Sequence, residues 1–155
     1  MSISGIHLRE ASAERDLEEV MQIEWNSFND WDAFPYREMT ALMTRAAGLF
    51  LIAEYDGAIA GYLSFTICRR HNTGRVYSLA VAPAYRGLGV ADALMERAIA
   101  CAQEKGLRAV FLEVRTDNFT AIRLYEKKGF TRRFTKQSYY SDGNPAYYMA
   151  RTISE

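Results

Sequence analysis

Clustered basic charge is missing from this chain. Its 155 residues hold 19 lysines and arginines against 19 aspartates and glutamates, a formal net charge of zero with a pI near 6.7. A nucleic-acid-binding surface shows an excess of basic residues gathered on one face, so nucleic acid is not expected as a partner. The one locally basic run, EKKGFTRRFTK at 126–136, reads as a solvated helix end followed by an edge strand. Cysteine is scarce. Cys68 and Cys101 make no disulfide framework, and Cys101, set among small and apolar residues of a helix-like stretch, is expected as a buried free thiol. No apolar run approaches the roughly 18 residues that a membrane span needs. No basic segment followed by an apolar run opens the chain, so a cytoplasmic location is expected. There, the sequon NFT at 118–120 never meets the glycosylation machinery. The spacings CxxC and HExxH are absent; Cys68 and His71, three apart across a turn, are a weak pair, and no metal is expected. No G-x-S-x-G elbow marks a serine hydrolase.

What is there is an ordinary soluble balance, 49% apolar and 25% charged, in a chain long enough for one domain, 1–155, with a real core. IHLREAS at 6–12 reads as a first strand. Ser12 then caps a helix whose Glu14 and Asp16 suit its positive end, with Leu17, Val20, Met21 and Phe28 on one face. Pro35 starts a second helix at its first position, with Met39, Leu42, Met43 and Ala46 at helical spacing and Gly48 as its stop. Two β-rich runs flank Asp56-Gly57, a hairpin signal. HNTG at 71–74 turns into the strand RVYSLAVA, which completes an antiparallel meander. A helix over 88–105 turns Leu88, Ala91, Leu94, Met95, Ala98 and Ile99 toward a core and stops at Gly106. AVFLEV at 109–114 is a buried strand, followed by a helix around 119–128, a stop at Gly129, and two last strands joined by SDGNP. The strand at 75–82, the helix and the strand at 109–114 form a right-handed βαβ unit with parallel strands. The fold class expected is α/β: a mixed, mostly antiparallel twisted sheet of about seven strands with a central parallel pair and helices on both faces.

Between strand and helix stands RGLGVA, residues 86–91. A helix N-terminus presents unpaired N–H groups and a partial positive charge. Small residues at Gly87, Gly89 and Ala91 leave those amides open to a phosphate. By itself the turn reads equally well as a tight connection that binds nothing. A Rossmann fingerprint would need Gly or Ala where Asp92 stands. A P-loop would need a Gly-Lys pair, and the chain has none. What remains is R-x-x-G-x-A, on Arg86, Gly89 and Ala91.

That motif, following a strand that ends in Val81-Ala82-Pro83, resembles the pyrophosphate signature of the GCN5-related N-acetyltransferases. Downstream, LEVRTDNFTAIRLYEKKGF at 112–130 is similar to the pattern L-E-V-R-x-x-N-x-x-A-I-x-L-Y-x-x-x-G-F of RimI-type and related protein N-terminal acetyltransferases, with every fixed residue present. The resemblance follows the element order over most of the chain. It implies the fold of that family, acetyl-coenzyme A as co-substrate, and direct transfer of acetyl to an amine.

The same resemblance implies roles for individual residues. Glu113 is the candidate base, acting directly or through a water. On AVFLEV it alternates away from Val110, Leu112 and Val114, and an apolar setting would raise its basicity. Spacing alone also leaves it facing solvent or paired with an arginine such as Arg115. Tyr125 is the candidate acid for the leaving thiolate. Asn118 caps the helix at 119–128 or binds the pantetheine arm. Leu79, Ala80 and Val81 offer backbone to the pantetheine amides, with an N–H near Val81 as oxyanion donor. Arg86, Gly87, Leu88, Gly89, Val90 and Ala91 cradle the pyrophosphate. SYYSDGNPAYYM at 138–149 resembles the hairpin that lines the peptide groove of N-terminal acetyltransferases, with Tyr139 and Tyr140 as acceptor contacts and Phe34, in SFNDWDAFPY, on the opposite wall. An α-amine titrates near 8 and a lysine near 10.4, a difference of a few hundredfold in neutral fraction that suits N-terminal acceptors. Asp30 and Asp32 would also suit a cationic small amine, so a small amine, polyamine or lysine acceptor stays open. So does a non-catalytic acyl-CoA-binding module. A monomer or weak homodimer is expected.

Overall fold

The computed structural model describes residues 5–27, 33–44 and 48–153. In chain order they form β1 (Ile6–Glu10), α1 (Ala13–Ser27), α2 (Tyr36–Thr44), β2 (Gly48–Tyr55), β3 (Ala58–Cys68), β4 (Thr73–Val81), a 3-10 turn (Pro83–Tyr85), α3 (Val90–Glu104), β5 (Ala109–Arg115), α4 (Phe119–Lys127), β6 (Thr131–Lys136) and β7 (Ala146–Thr152). The strands join one sheet in the order β1-β2-β3-β4-β5-β7-β6. Only β4 and β5 run parallel. The remaining neighbours are antiparallel. β7 folds back between β5 and β6, so β6 is the edge strand, as its exposed pattern requires.

Several local signals have a structural counterpart. Asp56 and Gly57 both take positive φ, 50° and 86°, the turn that matches right-handed strand twist. Asn118 caps α4, its Oδ1 accepting from the Ala121 N–H at 3.2 Å. Asp16 reaches back to the Ser12 N–H at 2.7 Å and closes the start of α1. One apolar core lies between the sheet and α3 with α4, built on Leu94, Met95, Ala98, Val110, Leu112, Ile122 and Tyr125. The other lies under α1 and α2, built on Val20, Met21, Met39, Leu42, Ile52 and Tyr62. Helices therefore cover both faces, as expected.

Some expectations fail at element ends. α3 begins at Val90, and Leu88, expected in the core, stands 44% exposed in the turn before it; with Gly87 and Gly89 both at positive φ the backbone there is not yet helical, so helical spacing does not apply. Pro35 precedes α2 and accepts from the Met39 N–H at 3.0 Å. Gly48 opens β2 instead of closing α2. Phe28, assigned to the apolar face of α1, and Ala46 lie outside the described residues. No helix among the described residues is long and apolar enough to cross a membrane.

Candidate active site

The site begins with an irregularity in β4. Against β3 the register runs Phe65–Val76 and then Ser64–Ser78, so Tyr77 is an extra residue. A bulge reverses the inside–outside phase of a strand. Before it, Val76 packs on the α3 side; after it, Leu79 and Val81 take that side while Ala80 joins the α1–α2 core. Beyond the bulge β4 leaves β5. Their parallel register covers Thr73–Ala109, Gly74–Val110 and Arg75–Phe111 and goes no further. The Ala82 N–H bonds to the Ala60 carbonyl at 2.7 Å. Antiparallel alternation then turns the main-chain groups of Leu79 and Val81 away from β3, into the opening between β4 and β5. Those of Ala80 face β3.

At the mouth of that opening lies the start of α3. Gly89 is its N-cap, at φ 88°, and Gly87 has φ 81°. A side chain at either position would strain the backbone. A Cβ there would meet nothing within 4 Å, so the space over these amides is open. That arrangement fits a pyrophosphate. Val90 anchors the helix start in the core, Ala91 is half-buried, and Arg86 is exposed, its Nε donating to the Val81 carbonyl at 3.3 Å. Asp92, the residue that spoils a Rossmann fingerprint, is neutralised by Lys128 at 2.9 Å.

Glu113 sits on the α1–α2 side of β5, with its side chain only 6% exposed. The apolar setting expected for it is not what surrounds it, and neither is Arg115. Arg75 Nη2 donates to Oε1 and Lys136 Nζ donates to Oε2, both at 2.7 Å. Arg115 instead pairs with Asp142 at 2.6 Å. Rings hold the two cations. The Arg75 guanidinium lies 4.6 Å from the Tyr77 ring, and Lys136 Nζ is 5.4 Å from the rings of both Tyr139 and Tyr148. Tyr148 is itself stacked between Phe111 and Phe134.

Tyr125 lies on the other side of β5, buried in the α3–α4 core, and burial pushes its phenol up to about 12. Tyr139 and Tyr140 follow β6 in a turn, not a strand, and meet edge to face at 5.0 Å. The Tyr139 hydroxyl accepts from Arg75 at 3.3 Å. Tyr140 is raised chiefly by burial, with the charges of Tyr139, Glu113 and Tyr125 adding to it and Arg115 opposing. Phe34 packs against Tyr77 at 5.3 Å. The predicted acceptor residues thus border the cluster around Glu113. Asp30 and Asp32 lie outside the described residues.

Sequence reasoning missed four members of this neighbourhood. Arg75, Tyr77 and Lys136 are brought in by strand register. The fourth, Glu24 on α1, is buried to 1% exposure. Its carboxylate accepts from the Tyr62 hydroxyl and, at 2.9 Å, from the Phe34 N–H; Tyr62 also bonds Ser78 at 2.9 Å. Burial pushes Glu24 above the ordinary carboxylate value. The only available signal was a lone acid on an apolar helix face. Among the described residues no group of three or more His, Cys, Asp or Glu side chains is placed to hold a metal ion.

The model of the acetyltransferase (GNAT) family matches residues 17–130. The N-alpha-acetyltransferase of Sulfurisphaera tokodaii is 34% identical over 131 residues, covering 77% of this chain and 78% of that protein. Among solved structures, Ard1 from Thermoplasma volcanium is 31% identical with a TM-score of 0.88, covering 97% of this chain and 99% of the other. The ribosomal-protein-S18-alanine N-acetyltransferase from Escherichia coli is 25% identical with a TM-score of 0.87, covering 97% and 95%. The chain belongs to the GNAT family of acetyltransferases. It is an N-acetyltransferase that takes acetyl-CoA as its acyl donor.

Proposed function

We propose that this N-acetyltransferase modifies the α-amine of protein or peptide N-termini. The observation that carries the reading is the charge at the acceptor side. Glu113 lies beneath two cations, so the cluster of Arg75, Lys136 and Glu113 is net positive. A polyamine, with several ammonium groups, is disfavoured there. An α-amine, near 8, has a useful neutral fraction where a lysine side chain, near 10.4, has little. The names of the relatives point the same way.

Acetyl-CoA supplies the acetyl thioester. The amides from Gly87 to Ala91, with Arg86 and Leu88 beside them, hold the pyrophosphate, and the backbone of Leu79 to Val81 aligns the pantetheine arm next to Asn118. The Val81 N–H is placed to stabilise the carbonyl oxygen as charge develops. Glu113 takes the proton of the amine, directly or through a water. Tyr125, across β5, returns a proton to the sulfur. A phenol near 12 is a weaker acid than free tyrosine. Burial raises the basicity of the thiolate as well, which keeps the transfer feasible. Phe34, Tyr139 and Tyr140 line the acceptor's approach.

The test is acetyl-CoA consumption with short peptides of varied first residue, beside spermidine and free lysine. Turnover of peptides supports the reading; activity confined to the small amines overturns it.

A further inference from the structure

Both oxygens of the proposed base are occupied. Each oxygen keeps a second lone pair, but the charge of an adjoining ammonium opposes protonation, so Glu113 Oε2 receives a proton more readily once Lys136 moves away. Arg75 is the better anchored of the two cations, held by the Tyr77 ring and the Tyr139 hydroxyl as well as by Oε1. Lys136 has one hydrogen bond and a flexible stem, and its side chain is 35% exposed. It ends the edge strand β6. Its ammonium also lies 5.4 Å from the rings of Tyr139 and Tyr148. On the far wall Glu38 accepts from the Tyr77 hydroxyl at 3.4 Å. A positive group whose departure favours proton transfer, in a cluster of two cations and one carboxylate, is matched by an anion delivered from outside.

We propose that Lys136 selects acceptors with aspartate or glutamate as their second or third residue. The acceptor's carboxylate takes the Lys136 ammonium in place of Glu113 Oε2, and Glu113 is freed to receive the proton of the α-amine. The inference rests on the N-terminal reading and names the substrate class within it. Reach is adequate. Lys136 Nζ is 2.7 Å from Glu113, and an extended chain advances about 3.3–3.6 Å per residue, so a side chain one or two residues beyond the reacting amine spans the distance. The step is a proton transfer and an exchange of ion-pair partners; no further reactant is needed.

The experiment compares kcat/KM for peptides that differ only by Glu against Gln, or Asp against Asn, at the second and third positions. It uses the full chain, at low and moderate salt, for the native protein and for Lys136→Met and Lys136→Arg. The native protein should prefer the acidic peptide by roughly tenfold, and salt should shrink that preference. In Lys136→Met the preference should fall to about one, because the acidic peptide loses its partner while the neutral one meets a base already uncovered. Lys136→Arg should keep the preference. Three results would overturn the proposal: equal use of acidic and neutral peptides by the native protein, better use of basic ones, or an equal loss for both peptides in Lys136→Met. Acetylation of spermidine with no peptide turned over is a different failure, that of the N-terminal reading itself.

Discussion

Glu24 and Glu113 are both buried, both lie on the α1–α2 side of the sheet, and they are satisfied in opposite ways. Glu24 accepts from a phenol and a backbone amide, with Ser78 next in line behind Tyr62. Burial raises it, and the neighbouring charge of Glu38 adds to that. Glu113 accepts from a guanidinium and an ammonium. Neutral donors suit either protonation state, whereas cations require the carboxylate. Mobility separates the two as well. The partners of Glu24 belong to the core at the junction of α1, β3 and β4, so the carboxylate works as a clamp that fixes Phe34 and the start of α2 over the Tyr77 bulge. The partners of Glu113 are 30% and 35% exposed, and Lys136 has the fewer hydrogen bonds of the two.

The largest expected effect follows from that contrast. Glu113→Gln keeps the shape of the side chain and removes its ability to take a proton, and it should lower turnover at least tenfold, within the range of a lost general base, with the KM for acetyl-CoA largely unchanged. Tyr125→Phe should cost at least tenfold in turnover by the same logic at the sulfur, again with cofactor binding kept. Steady-state kinetics on an active peptide checks both. Unchanged turnover in both variants breaks the role assignment.

How legible was this? Elements with their own local signal were readable: the Asp56-Gly57 hairpin, the Asn118 cap, the apolar alternation of β5 and the glycine turn before α3. That alternation also put Glu113 on the face opposite Val110, Leu112 and Val114, where it is found. The charge environment of Glu113 was not readable. Arg75 and Lys136 lie 38 and 23 residues from it in sequence, and only the order β4-β5-β7-β6 and the registers around it bring them together. The Tyr77 bulge is likewise a property of pairing, since an alternating sequence carries no mark of where its partner skips a residue. Glu24 was hidden for a related reason. A buried acid on a helix is tolerated only because Tyr62 and Ser78 arrive from two strands.

Asp16 offers a control away from the site, a third buried carboxylate. Arg9 pairs with it at 2.8 Å through both guanidinium ends and holds it below the usual carboxylate range. Asp16→Asn should leave turnover intact and lower stability by about 1–3 kcal/mol, the cost of leaving buried donors poorly matched. The sign with pH is fixed. A lowered folded pKa contributes stability above the ordinary carboxylate value, and the contribution is lost as pH falls through the folded value. Thermal melts of native and variant protein should therefore converge in acid.

Glu24→Gln should give the smallest change and the opposite slope. A raised folded pKa means that the contribution of Glu24 is full below the ordinary glutamate value, about 4.3, and is lost as pH rises through the folded value. Glutamine can still accept from the Phe34 N–H and bond the Tyr62 hydroxyl, and it does not titrate. The melting temperature of the variant should gain on that of the native protein as pH rises through the window above about 4.3, by an amount worth about 1 kcal/mol or less, with turnover within about twofold of native because glutamine keeps the hydrogen bonds that hold Phe34 and Tyr62. If Glu24→Gln instead loses as much turnover as Glu113→Gln, the clamp is part of the chemistry and the division between the two glutamates collapses. If the advantage of the native protein over the variant instead shrinks toward acid, the carboxylate of Glu24 is held ionised by something other than its phenol and amide partners.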